Sequence, residues 1–269
     1  SKTVFYFTAQ KAKLLSKRRL ELTSNEVRQA FARYLALPNS LADLRYRILR
    51  PRGGRGYPLP YATTYVIETE PDAQCLVYRL SEARHYSRPK PGRADTLLYV
   101  SHHSADLELR QDEWVRKQIP AGKGNNAFYA CDVRGTGESR PDTCGENSFL
   151  QPYGSDYFYA IHGIMLNRPY VGQKTLDVLQ VLRWLEAAGH SRIQIVAQGW
   201  GSLPAAFAAM YSNVVTSIRL KGALDSFHSI ATSQEYQWPL SSFVPSILNE
   251  VDLTDCYTLL KAEKDLELL

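Results

Sequence analysis

Apolar positions along this chain recur with two different periods, and the two alternate. From Tyr61 onward, short runs rich in β-branched and aromatic residues are separated by longer stretches whose apolar positions return every three or four residues. The first pattern belongs to strands and the second to helices. Tyr65–Ile67 and Leu76–Tyr78 flank the turn Glu70-Pro-Asp72 and read as an antiparallel pair. Thr96–Val100 and Ala127–Cys131 are apolar throughout, as strands covered on both faces are. Leu107–Ile119, with Trp114 and Val115 inward, reads as the helix between them. Lys174–Ala188 carries the clearest stripe, built on Leu176, Val178, Leu179, Val181, Leu182 and Leu185, and Gly189 closes it.

Ahead of this region, residues 9–37 read as two helices. Leu14 and Leu15 fall in the first. Thr23-Ser-Asn-Glu26 offers a capping box for the second, where Val27, Phe31, Tyr34 and Leu35 follow at helical spacing before Pro38 stops it. Arg50–Pro60 and Pro89–Gly92 read as loops, and Pro141–Tyr170 as long, aromatic and irregular. Ile193, Ile195 and Val196 form a further buried strand, Gly199 and Gly201 punctuate it, and Leu203–Met210 continues as an Ala-rich helix. Thr216–Leu224 is another strand, Glu235–Tyr257 a Pro-containing lid or crossover, and Lys264–Leu269 the start of one more strand. Strands alternating with helices predict an α/β fold: a mostly parallel sheet with helices on both faces. The division expected is an N-terminal helical appendage and linker over residues 1–60 and one α/β domain over 61–269.

Composition narrows this picture only modestly. A chain of 269 residues, 44% hydrophobic, can bury one large core. No run of eighteen apolar residues exists, so no membrane span is expected. The formal charge of +5 is concentrated at Lys11–Arg19 and Arg45–Arg55. With no aromatic-basic interleaving there, it reads as a solvated helix face and a basic loop rather than a nucleic-acid site. Cys75, Cys131, Cys144 and Cys256 lack Cys-x-x-Cys spacing, which argues against zinc and thioredoxin chemistry; Cys75 and Cys131 read as small buried hydrophobes. No nucleotide-binding glycine motif sits in the required context, so no cofactor is expected. Ser1-Lys-Thr-Val-Phe5 is not a basic-then-apolar leader, which leaves the compartment open.

The order of motifs resembles the α/β-hydrolase superfamily, and within it the acetyl-xylan-esterase-like branch of bacterial esterases. The residues that carry this are the strand ending in Asp132-Val-Arg-Gly-Thr-Gly-Glu-Ser139, the long helix after it, and the strand–turn–helix at 193–210. The resemblance covers Tyr61–Leu269. It implies a serine nucleophile in a Gly-x-Ser-x-Gly elbow, a histidine base and an orienting carboxylate, in that chain order. On this chain the five elbow positions are Ala197-Gln-Gly-Trp-Gly201, and Gly199 stands where serine belongs. The resemblance also places the acid after the strand that begins near Lys264 and the histidine after one strand more, positions the sequence does not reach, and no histidine follows His228. Two explanations stay open, a degenerate domain or a piece of a longer polypeptide.

Several residues are then candidates. Trp200 N–H and a group within Ser101–Ser104 suit an oxyanion hole, which needs backbone donors rather than particular side chains. His102 and His103 lie where such a loop belongs; two adjacent histidines alone do not make a metal site. Ser202 could replace the missing nucleophile, but one helical turn displaces its hydroxyl by about 5 Å; a helix-start hydroxyl is the default. Asp225 and His228 could pair as carboxylate and base, or Asp225 could simply cap the next turn. Asp132, Arg134 and Glu138 read as structural, while Tyr153–Tyr159 and Trp238 are candidate carbohydrate contacts. The favoured expectation is an esterase-like domain that is impaired and acts as a structural or ligand-binding partner of another hydrolase domain, with a small ester or carbohydrate as ligand. The alternative is an active carboxylesterase using a relocated serine.

Overall fold

The computed structural model describes residues 2–49, 52–53, 55–84, 95–120, 127–140 and 155–269. Its elements in chain order are α1 (Val4–Arg18), α2 (Ser24–Tyr34), β1 (Arg45–Ile48), β2 (Arg52–Gly53), β3 (Tyr61–Glu70), β4 (Ala73–Ser81), β5 (Asp95–Val100), α3 (Ala105–Gln111), α4 (Glu113–Gln118), β6 (Ala127–Asp132), α5 (Ser155–Met165), α6 (Tyr170–Ala187), β7 (Arg192–Gln198), α7 (Ser202–Ala209), β8 (Val215–Lys221), α8 (Phe227–Thr232), α9 (Leu253–Glu263) and β9 (Asp265–Leu268).

Among the described residues these strands form one sheet in the order β1-β3-β4-β6-β5-β7-β8-β9, with β2 also on β3. β6, β5, β7, β8 and β9 run parallel; β4, β3, β2 and β1 extend the sheet antiparallel. The β3–β4 hairpin is the one expected around Glu70-Pro-Asp72, with Asp72 supplying the left-handed residue of the turn at φ 64°. Within β5, Leu98 and Val100 enter the core shared with α2, α6, α7 and α9, while Leu97 and Tyr99 enter the one shared with α3 and α4. This period-two partition is the consequence of a strand covered on both faces.

Several boundaries differ from the sequence reading, each for a local reason. The helix expected over Leu107–Ile119 is broken at Asp112, whose extended backbone (φ −83°, ψ 111°) ends α3 and whose carboxylate caps α4 through Trp114 N–H and Val115 N–H. Part of the stretch read as irregular is α5, and α6 begins at Tyr170 rather than Lys174. The expected lid or crossover contains the start of α9, opened by a capping box between Asp252 and Asp255. The Thr23–Glu26 capping box is present as read. Val27, Ala30 and Phe31 from α2, with Leu35 at its C-terminal cap, are buried in the same core as α6 and α7, and β1 and β2 join the main sheet. Cys75, Cys131 and Cys256 are buried free thiols. The loop expected at Pro89–Gly92 lies outside the described residues, as do Cys144 and Tyr153. No described helix is long and apolar enough to cross a membrane.

Candidate functional site

β7 lies between β5 and β8, and Gly199–Gly201 follows it as a single 3-10 turn leading straight into α7. The sharp reversal puts Gly199 at φ +51°, a conformation that L side chains rarely adopt. Gly201 is required for a different reason: a Cβ there would press on the carbonyl oxygens of Ser101 and Val100. Closeness of the turn to the end of β5 therefore depends on the second glycine.

That closeness brings the loop after β5 onto the elbow. A Cβ on residue 199 would stand 2.5 Å from His102 Nδ1, 2.7 Å from Cε1 and 2.9 Å from Cγ. The imidazole of His102 thus fills the space into which a side chain at the elbow would project. Trp200 N–H donates to His102 Nδ1 at 3.0 Å, so Nδ1 carries the lone pair and the proton of the neutral ring sits on Nε2. His103 stacks on His102 with centroids 3.6 Å apart, and both rings meet Trp200 edge-on at 4.5–5.0 Å. Burial, and then the neighbouring His103, push the His102 pKa down to about 4 against the opposing charge of Asp112. The ring is neutral at pH 7.

The other backbone donors of this corner are engaged as well. Glu108, buried on α3, accepts from His102 N–H at 3.1 Å, His103 N–H at 2.7 Å and Ser104 N–H at 3.1 Å, and from the Tyr99 hydroxyl at 2.6 Å. Burial raises its carboxyl above the ordinary value even against these donors. Ser101 N–H donates to the Cys131 carbonyl at 3.2 Å. The backbone donors that the sequence suggested for an oxyanion hole, Trp200 N–H and those of Ser101–Ser104, all have internal acceptors.

Asp132 and Arg134 hold the adjoining turn, as their motif suggested. Asp132 accepts from Ser101 Oγ (2.7 Å), Ala105 N–H (2.7 Å), Tyr78 hydroxyl (3.2 Å) and Glu138 N–H (3.2 Å). Arg134 forks onto Asp177, which is fully buried, at 2.6–3.0 Å, and reaches Glu70 at 2.7 Å.

The remaining candidates lie in ordinary roles. Ser202 is fully buried and its hydroxyl donates to the Gly199 carbonyl at 2.5 Å. Asp225 is exposed. His228 sits on α8 with its N–H on Asp252 at 3.2 Å and its Nδ1 buried without a hydrogen-bond partner; among the described residues Asp225 and His228 share no hydrogen bond. Trp238 packs half-buried against the main core. Tyr159 stacks on Tyr170 at 5.8 Å and Tyr157 meets Phe158 edge-on. No group of three or more metal-ligating side chains exists among the described residues. Sequence reasoning missed Glu108, whose anchoring of three consecutive N–H groups has no local signature, and the insertion of His102 into the elbow.

A mostly parallel sheet with this strand order and an elbow after a central strand decides the architecture. The chain has the α/β-hydrolase fold. No family model and no curated protein matches the sequence. Solved structures do share the architecture. A putative acetyl xylan esterase from Bacteroides fragilis superposes with a TM-score of 0.64 at 14% identity, covering 96% of this chain and 68% of that one. A methylesterase gives 0.57 at 16% identity, covering 97% of this chain and 50% of the other. A glucuronoyl esterase from Solibacter usitatus gives 0.50 at 12% identity, covering 91% and 72%. The chain therefore spans only half to about seven tenths of the length of these α/β hydrolases.

Proposed function

We propose that this α/β-hydrolase-fold domain does not hydrolyse esters through its own elbow and serves as a structural or ligand-binding partner of an active hydrolase domain. The observation that carries the reading is His102: its imidazole fills the position of a nucleophilic side chain and its Nδ1 takes the Trp200 N–H. Acyl transfer at such an elbow needs an attacking hydroxyl, a base within about 3 Å of it and free N–H donors aimed at the developing oxyanion. Gly199 supplies no hydroxyl, and the nearby donors already have acceptors. A relocated Ser202 would have to leave the Gly199 carbonyl and emerge from full burial. The solved structures that share the fold carry the names of esterases, which supports a small ester or an acylated carbohydrate as the ligand.

The test is p-nitrophenyl acetate turnover by the purified chain, beside Gly199→Leu and a heat-denatured sample. The expected rate does not exceed those of the two controls. A rate well above both would overturn the reading.

A further inference from the structure

Away from the elbow, α1, α8 and residues 243–249 line an open pocket of about 620 Å³. Its size falls within the roughly 300–1,000 Å³ typical of small-molecule sites. Phe5, Leu15, Phe227, Ile230, Val244 and Ile247 make its interior apolar, and Lys11 is the one charged residue of its wall. No carboxylate lines it. A second depression on the other flank of α1 carries Lys2 and Lys13, again without an acidic residue. This follows from the sequence: residues 1–20 hold six lysines and arginines and not one aspartate or glutamate. Ser246, on the same wall, is held at φ +62°, a conformation costly for a residue with a Cβ.

We propose that this cavity binds a single-chain anionic amphiphile, with the alkyl chain in the apolar interior and the carboxylate on Lys11. The apolar walls recognise the chain without direction, by area removed from water. The charge selects the head: a cationic amphiphile meets Lys11 and no acidic partner, while a carboxylate meets Lys11 at the wall. The site uses no residue of the elbow, so its failure and the failure of the reading above are separate events.

Calorimetric titration of the purified chain with octanoate, decanoate and dodecanoate, each below its micelle concentration, tests the site. Saturable one-to-one binding is expected, tightening about fourfold per added methylene, the equivalent of about 0.8 kcal/mol. Lys11→Glu should weaken decanoate by about tenfold and leave decan-1-ol unchanged. Ile230→Trp, which fills the interior, should abolish binding of both; Ala231→Phe on the same wall replaces it if its melting temperature shows that Ile230→Trp does not fold. Absence of saturable binding, equal affinity in the filled variant, or a Lys11→Glu variant that keeps decanoate or loses decan-1-ol as well would each overturn the proposal.

Discussion

Gly199→Ser restores the residue that the elbow of an α/β hydrolase would be expected to carry, and the geometry says that it does not fit. Two costs are set by the structure. Residue 199 is at φ +51°, which costs a residue with a Cβ about 1–2 kcal/mol. The new Cβ also stands 2.5–2.9 Å from three atoms of the His102 ring. The ring must swing out and abandon the Trp200 N–H, a loss of about 1 kcal/mol. Together they predict a destabilisation of about 2–3 kcal/mol, or a fall in Tm of roughly 5–10 °C for a chain of this size. Urea unfolding of wild type, Gly199→Ser, His102→Ala and the double variant forms the cycle that isolates the clash. The backbone cost survives in the double variant and the collision does not, so the two effects should fall short of additivity by about 1 kcal/mol. Additive effects, or a single variant within about 0.5 kcal/mol of wild type, would refute the packing of His102 against the elbow.

Three further outcomes follow from the same corner. Because the His102 pKa falls to about 4 in the folded chain and a free histidine titrates near 6.5, the unfolded state binds the extra proton between those values. Stability contributed by the neutral ring is therefore full above pH 6.5 and lost as pH falls toward 4; His102→Gln should flatten the slope of unfolding free energy against pH over that window, measured as the difference from wild type. Asp132→Ala leaves Ser101 Oγ, Ala105 N–H and Glu138 N–H facing a void, while the Tyr78 hydroxyl keeps Glu138, and should cost about 3–5 kcal/mol in urea unfolding. Arg134→Met strands the fully buried Asp177 and should cost a similar 3–5 kcal/mol, whereas Arg134→Lys, which keeps the charge but loses the bidentate fork, should recover part of it.

The elements and the elbow were legible in the sequence because their causes are local. The apolar run of β7, two glycines and an Ala-rich helix can be read in one window, as can the Thr23–Glu26 capping box and the Asp-x-Arg-Gly turn. The break at Asp112 and the start of α9 at Asp252 had local signals too: each is an aspartate placed to cap the residues after it, and both were overridden by the longer pattern around them. α5 was hidden by its aromatic, weakly periodic sequence. The occupant of the elbow was out of reach for another reason. His102 and Gly199 are far apart in sequence and meet only because β5 and β7 are neighbours in the sheet, with Val100 paired to Ala197. Glu108 lies only four to six residues from the N–H groups it claims; the residues suited to an oxyanion hole could be named from the sequence, but not the turning back of that carboxylate onto them.

Intact-mass spectrometry after exposure to a fluorophosphonate asks most directly whether any serine of this chain is a competent nucleophile. With His102 seated at the elbow and Ser202 buried on the Gly199 carbonyl, the expected spectrum of the folded protein shows only the unmodified mass. A stoichiometric phosphonyl adduct mapping to a single serine would contradict it.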